Sequence, residues 1–414
     1  MYFCIMNCLK YLICIVFSLA WMNADAQEED VDSIEISLLT CSPHEEIYSL
    51  YGHTALRIHS LKARGEDVAV NWGMFSFGQG SLGMLEFCLR FMFGLTDYTI
   101  AIDSFDAFCH QYRYYGSSVT EQVLNLTADE KRRILAGIAN NYQPENRVYR
   151  YNYFYDNCTT RAVDMIVNNL NAANGNTGRR LKSTVEDDRF PSFRDMIHSC
   201  NNHHPWAAFG NDILLGVGSD RPADKREWLF LPAHAMTDFG STMIVDGQHE
   251  EPLVKQTNVV VEPGIQVVEK EFPLRPSDVF LVLLTLTVAI TVIEKYSGKA
   301  LWWYDALLMA ISGLAGTILF LMLFSEQPTV RVNLQLLLLN PLPLFFIRRM
   351  IVRTKKKLND RQYALWLLLI CLFLIGSFWQ HYAEGMMILA SSLLIRNVWC
   401  YYRQQKYEIV SSLK

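Results

Sequence analysis

The pattern of polar and apolar positions along this 414-residue chain changes near Pro276. Ahead of it the apolar runs are short. Ile34-Glu35-Ile36-Ser37-Leu38-Leu39-Thr40 alternates with the period of two that predicts a strand. Ser49 to Ile58 reads as a turn feeding a second strand, Val68 to Trp72 with Met74-Phe75 as a third, and Tyr149 to Phe154 as a later one. Thr127, with Glu130 three residues on, marks a helix start. Ala162, Met165, Ile166 and Leu170 recur at helical spacing over Thr159 to Leu170. Interspersed strands and helices predict an α+β domain over residues 27–245. Pro252, Pro263, Pro273 and Pro276 then mark residues 246–276 as an extended linker.

Beyond Pro276 five apolar stretches, at 278–294, 302–324, 330–347, 363–381 and 383–401, predict an all-α membrane domain over 277–402 and a tail over 403–414. Each approaches the ~20 residues needed to cross the hydrocarbon layer. The third and fifth carry polar groups, which cost energy in a span unless they pair or serve a site. Asn333 and Asn340 lie seven apart and so share a face if the third stretch is one helix. They are expected to bond a neighbouring helix or to touch substrate. His381 and Glu384 are expected at the outer membrane surface in a wet structural role.

Composition sharpens this division. The chain is 51% apolar and only 19% charged, and the shortage of charge comes from the membrane stretches. A net charge of −5 excludes a general nucleic-acid binder, which needs a basic surface. At the N-terminus, Lys10, an apolar run from Tyr11 to Trp21, and Ala24-Asp25-Ala26 form a secretory signal pattern over 1–26. An uncleaved anchor is the alternative. Export of the first domain directs the first span inward, which leaves Arg348, Arg349, Arg353 and Lys355 to Lys357 on the cytoplasmic side. That is where the positive-inside rule places them, and the C-terminus is expected there too.

Familiar catalytic templates are missing: the chain holds no G-x-S-x-G, P-loop or H-E-x-x-H. His198, Cys200, His203 and His204 fit no common zinc framework and read as a solvated loop. The exported domain holds Cys41, Cys88, Cys109, Cys158 and Cys200, an odd number, so at least one thiol stays unpaired in an oxidising compartment. Cys158 is the strongest candidate. It lies in Tyr155-Asp156-Asn157-Cys158-Thr159-Thr160-Arg161, after a strand and at the start of a helix, whose N-terminus stabilises thiolate. A buried, inert thiol is the competing reading. A nucleophilic Cys needs a base and the base an orienting group. His53 fits the first role, and Asn71 the second if the two strands are neighbours; His59 competes with Asn71.

H-T-A-L-R-I, N-W-G-M-F-S-F and Y-D-N-C-T-T-R occur in the order His, polar residue, Cys. That order resembles the circularly permuted papain-like (NlpC-type) folds shared by lecithin:retinol acyltransferase-like enzymes. More specifically the chain resembles the Lnb lipoprotein N-acyltransferases. H-P-W-A-A-F-G-N-D-I-L-L-G-V-G-S-D-R over 204–221, W-L-F-L-P over 228–232 and L-L-L-L-N-P-L in the membrane part carry that resemblance further. It implies a papain-like periplasmic thiol domain followed by five membrane helices in the bacterial inner membrane. Cys158 is then the nucleophile, His53 the base and Asn71 the orienting group, with no metal or cofactor required. The implied reaction moves an acyl chain from a phospholipid, through a Cys thioester, to the N-terminal amine of a diacylated lipoprotein. Tyr51, Asn157 and Arg161 become candidate substrate contacts, Arg161 toward a phosphate unless a carboxylate of its own helix holds it. A membrane-anchored cell-wall peptidase or amidase is the rival reading, and a non-enzymatic envelope scaffold or sensor the second.

Overall fold

The computed structural model describes residues 31–412 apart from 45, 47–48, 64, 77–79, 178, 186–188 and 267–271. The expected signal peptide lies outside the described residues. Ten strands follow in chain order: β1 (Ile34–Cys41), β2 (His53–Ser60), β3 (Asp67–Met74), β4 (Asp97–Ser104), β5 (Val119–Leu124), β6 (Val148–Arg150), β7 (Arg179–Lys182), β8 (Met243–Asp246), β9 (His249–Pro252) and β10 (Val254–Val261). Seven pair antiparallel in the order β10-β5-β1-β2-β3-β4-β6; β7, β8 and β9 form a small second sheet.

Four helices build the site around this sheet: α1 (Gly80–Phe93), α2 (Phe105–Tyr115), α3 (Ala128–Asn141) and α4 (Cys158–Thr177). Thr127 and Glu130 close the expected capping box at the start of α3. The alternation of β1 explains how the layers assemble. Ile34, Ile36 and Leu38 point into the core shared with Ala162, Val163 and Ile166 of α4, whereas Leu39 and Cys41 face Phe108 and Tyr112 of α2. Both faces of the sheet are therefore covered, and β1 is buried along almost its whole length.

Two expectations fail here. The later strand joins the sheet over Val148–Arg150 alone: Asn152 bridges back to Asp156, and its Oδ1 accepts the N–H groups of Phe154 (3.2 Å) and Tyr155 (3.1 Å), which turns the chain ahead of α4. Nor is 246–276 simply a linker: β10 is an edge strand hydrogen-bonded to β5, and Pro252 and Pro263 bound it, as proline does at strand ends.

Two short helices, α5 (Phe193–Cys200) and α6 (Pro205–Leu214), lead to a helical bundle, which Phe209, Ile213 and Leu214 of α6 contact, while α7 (Pro232–Ser241) packs against β1 and α4. The bundle comprises α8 (Pro276–Ser297), α9 (Trp302–Met322), α10 (Leu342–Lys355), α11 (Gln362–Gly376) and α12 (Met386–Ser412). Among the described residues, α8, α9 and the stretch Leu334–Lys355 are long and apolar enough to cross a membrane, and α11 is a shorter apolar helix.

The third stretch corrects the reading of its two asparagines. It is not one helix: a 3-10 turn over Leu334–Leu337 precedes α10, and Pro341 stands between them. Asn333 and Asn340 therefore share no helix face. Asn333 Nδ2 donates to Ile213 O (2.9 Å), and its Oδ1 accepts from Gln335 N (3.0 Å) and Gln380 Nε2 (2.9 Å). Asn340 Oδ1 accepts from Leu342 N at 3.2 Å. Both amides therefore bond within the fold. Irregular backbone inside a membrane protein is tolerated where protein covers it, and Phe209, Ile213 and Leu214 cover this segment. His381 reaches Asp220 of the N-terminal domain (3.1 Å), and at the same end of the bundle Glu384 reaches Arg275, the residue ahead of α8 (3.2 Å).

At the opposite end, Arg396 of α12 is buried between Asp305 (2.8 Å) and Glu294 (3.3 Å), and Arg403 also reaches Glu294 (2.8 Å). Removing one partner of such a cluster leaves an uncompensated buried charge, at ~3–5 kcal/mol. Arg396→Ala is expected to lower the thermal midpoint of the purified full-length protein in detergent sharply. An unchanged midpoint would show that the cluster does not hold the bundle.

Candidate active site

Local chemistry fixes where α4 begins. Asn157 Oδ1 accepts the N–H of Thr160 (2.9 Å) while Thr160 Oγ1 accepts the N–H of Asn157 (2.8 Å), a reciprocal cap. Cys158 becomes the first helical residue, where backbone N–H groups lack intrahelical partners and favour negative charge. The turn is held from outside as well. Asn157 Nδ2 donates to the carbonyls of Tyr153 and Phe230, both at 3.0 Å. Arg161 forms a two-pronged pair with Asp156 (2.6 and 2.8 Å) and stacks its guanidinium over Tyr149.

His53 opens β2 opposite Cys41 of β1. The strands of His53 and Asn71 are neighbours, with Asn71 facing Ala55 across the β2–β3 ladder. The ring nitrogen Nε2 of His53 lies 3.1 Å from Asn71 Oδ1, and Asn71 Nδ2 donates to Asp103 Oδ2 at 3.0 Å. Because the amide nitrogen is committed to Asp103, its oxygen faces the ring and must accept from Nε2–H. The other ring nitrogen is then left for Cys158, whose thiol is hydrogen-bonded to His53. A bulge in β3 admits the thiol: register shifts between Asn71 and Met74, and Gly73, at φ +86, would place a Cβ 3.5 Å from Cys158 Cβ.

The electrostatics single out one thiol. Burial pushes the Cys158 pKa up, but the facing His53 charge, its hydrogen bond, and bonds from the Thr54 backbone and Thr159 outweigh that and hold it at about 7. His53 moves the opposite way: burial lowers its pKa, and the charge and hydrogen bond of Cys158 with the bond to Asn71 raise it overall. Each charge stabilises the other. Cys41, Cys109 and Cys200 are all pushed up by burial, and every described cysteine is a free thiol.

Other expected site residues take structural parts. Arg161 is held by the Asp156 carboxylate of the preceding turn, Asn157 caps α4, and the Tyr51 hydroxyl accepts from Asn201 (3.1 Å) and Asn211 (2.7 Å). His59 sits at the far end of β2, opposite Glu35 and Asp67. His198 is taken by Asp212 at 2.8 Å. Sequence reading missed Asp103 and the Thr54–Thr159 hydroxyl contact (3.0 Å), because both depend on strand register.

With this geometry in place the comparisons are decisive. Residues 22–187 match the family model of the Lnb N-terminal periplasmic domain, and residues 268–408 match that of the Lnb transmembrane domain. The chain belongs to the Lnb family. Its N-terminal domain is accordingly periplasmic and its C-terminal domain a membrane domain, in the order the sequence resemblance implied. Membership in the Lnb family also carries a lipoprotein-processing role. Neither the curated proteins nor the solved structures yield a match.

Alkylation of Cys158 by iodoacetamide, read by peptide mass spectrometry, is expected to rise with pH through about 7 as thiolate forms. In His53→Ala the midpoint moves up, because only the bonds from the Thr54 backbone and Thr159 then oppose burial. Asp103→Ala frees the Asn71 amide and is expected to slow alkylation at neutral pH by about tenfold, the equivalent of one hydrogen bond of ~1.4 kcal/mol. An identical profile in all three proteins would dismantle the relay.

Proposed function

We propose that this protein is a phospholipid-dependent lipoprotein N-acyltransferase, with Cys158 as nucleophile, His53 as general base and acid, and Asn71 as the group that orients His53. The observation that carries this reading is a thiol whose pKa is lowered to about 7 by a paired imidazole, in a domain bonded directly onto a membrane bundle. A thiolate meets an ester most readily where the ester already lies, and the bundle holds the domain at the membrane surface. In this reading the antiparallel sheet with its His strand and the later Cys-initiated helix form a circularly permuted papain-like unit. Five spans cross the inner membrane, and the C-terminus is cytoplasmic.

The reaction runs in two half-steps. Cys158 Sγ, its proton passed to His53, attacks the acyl carbonyl carbon of a phospholipid. The carbonyl oxygen becomes an oxyanion, which the backbone N–H groups of the first turn of α4 are positioned to receive. Collapse breaks the ester C–O bond; His53 returns its proton to the departing lysophospholipid oxygen, leaving a thioester. The α-amine of a diacylglyceryl-Cys lipoprotein then attacks the thioester. Its proton passes to His53, the C–S bond breaks, and the thiolate is restored as the amide forms. Phospholipid and diacylated lipoprotein are thus donor and acceptor.

Incubation of the full-length protein with phospholipid vesicles is expected to leave a hydroxylamine-labile acyl group on Cys158, absent in Cys158→Ser and strongly reduced in His53→Ala. Cells carrying only Cys158→Ser should contain lipoproteins with free N-terminal amines, seen by mass spectrometry of their N-terminal peptides. Wild-type protein without an adduct, together with N-acylated lipoproteins in the Ser variant, would overturn the proposal.

A further inference from the structure

Helix α1 is the element that neither the sheet nor the catalytic relay explains. It has fourteen residues, Gly-Ser-Leu-Gly-Met-Leu-Glu-Phe-Cys-Leu-Arg-Phe-Met-Phe, and none is buried. One face is anchored: Phe87 stacks on Phe75 and lies near Tyr98, while Phe91 packs on Tyr151 and Tyr153. The opposite face presents Leu82, Leu85 and Leu89 at the i, i+3, i+7 spacing of a single stripe, and Leu82 is 82% exposed. Its two charges, Glu86 and Arg90, pair with each other at 3.9 Å.

What covers that face follows from where α1 is tied. Its last turn is hydrogen-bonded to the chain just beyond span α9: Ser325 Oγ donates to Met92 O and Glu326 N to Phe93 O, both at 2.9 Å. Gly94 packs so closely that a Cβ there would lie 3.2 Å from the Gln327 side chain. With 21 residues, α9 spans about 31 Å, the thickness of a hydrocarbon core. Its end, and so the end of α1, lies at the membrane boundary. Phe320, Leu321, Leu323 and Phe324 at that end of α9 are exposed apolar side chains as well.

The other side of α1 leads to the thiol. Phe75, against which Phe87 stacks with ring centroids 5.0 Å apart, lies two residues beyond Gly73, the glycine that touches Cys158. We propose that α1 is an interfacial helix whose Leu82, Leu85 and Leu89 face lies among the acyl chains of the outer leaflet, and that it forms the lipid-side wall of the path to Cys158. The lipid contact stands on the geometry alone; the path to Cys158 rests on the acyltransferase reading. An amphipathic helix with an outward apolar stripe is stable at that depth and costs free energy in water.

The test places p-benzoylphenylalanine at position 85 in the full-length protein, reconstituted in nanodiscs of phosphatidylethanolamine and phosphatidylglycerol and illuminated. Leu314→p-benzoylphenylalanine, in the exposed face of span α9, is the lipid-contact control. The proposal expects intact-mass adducts of one phospholipid at both positions, and loss of the adduct at 85 when Leu82→Glu and Leu89→Glu are added. In membranes holding many copies, cross-linking of position 85 to a second copy in place of lipid would overturn it, as would adducts at 314 alone. Hydroxylamine-labile acylation of Cys158 is measured in the same sample. Acylation without a lipid adduct at 85 overturns the role of α1 and leaves the acyltransferase reading standing. Lipid at 85 without acylation overturns the path to Cys158 and that reading, while the interfacial placement holds.

Discussion

An ionised thiol is costly to bury, and the contact between Cys158 and His53 is the interaction that makes it affordable. Nearly every local feature of the N-terminal domain serves to bring these two side chains together. The sheet places His53 at the start of β2, and the reciprocal cap starts α4 at Cys158 rather than a residue earlier or later. A helix shifted by one residue would rotate the thiol by about 100° and remove it from the ring. The bulge in β3 brings Gly73 against Cys158. This explains the density of hydrogen bonds around Asn157, an amide that touches no reacting atom.

The second dependence is on height. In the acyltransferase reading the thiol must be held at a fixed distance from the bilayer, and a flexible tether would not do that. Here the seam is made of backbone as well as side chains: Gly216 N donates to Thr329 O and Val217 N to Val332 O, both at 2.8 Å. A Cβ on Gly216 would lie 2.2 Å from Val332 O, so the two segments are in direct contact. The cost is an unwound stretch in the third membrane segment: Leu334 N donates to Gln380 Oε1, Gln335 N to Asn333 Oδ1 and Leu342 N to Asn340 Oδ1, while the amide nitrogens of Asn333, Gln335 and Gln380 donate across the seam to the carbonyls of Ile213, Asp212 and Leu215. Asn333 is thus a fastener of that seam, whereas Asn340 bonds within its own segment, to Leu337 O and Leu342 N.

Period-two alternation makes β1 legible, short apolar runs bounded by turn residues make β2 and β3 so, and the spacing of Ala162, Met165, Ile166 and Leu170 does the same for α4. The His–Asn–Cys constellation could be read because those strands are consecutive and the helix start has a cap signal. The edge strand β10 was read as linker because Lys255, Gln256 and Asn258 hide its pairing with β5 behind a polar pattern. The third membrane segment misled for a different reason: hydropathy averages over a window and does not register where backbone hydrogen bonds are broken by Pro341 and remade by side chains. Asp103 left no sequence signal at all. It sits diagonally from Asn71 across β3 and β4, a relation that exists only once the register is set.

That diagonal placement bears on why the orienting group is an amide. A carboxylate bonded directly to the imidazole would strengthen the imidazolium further, adding to the raised His53 pKa already caused by the thiolate. An acid that strong in holding its proton is slow to release it to a leaving oxygen. Asn71 fixes the same tautomer without a formal charge, and Asp103 fixes Asn71 from one bond farther away, at an exposed position where water weakens its field. Orientation and charge are thereby separated. In the proposed reaction His53 is aimed through a neutral amide and remains able to give its proton back.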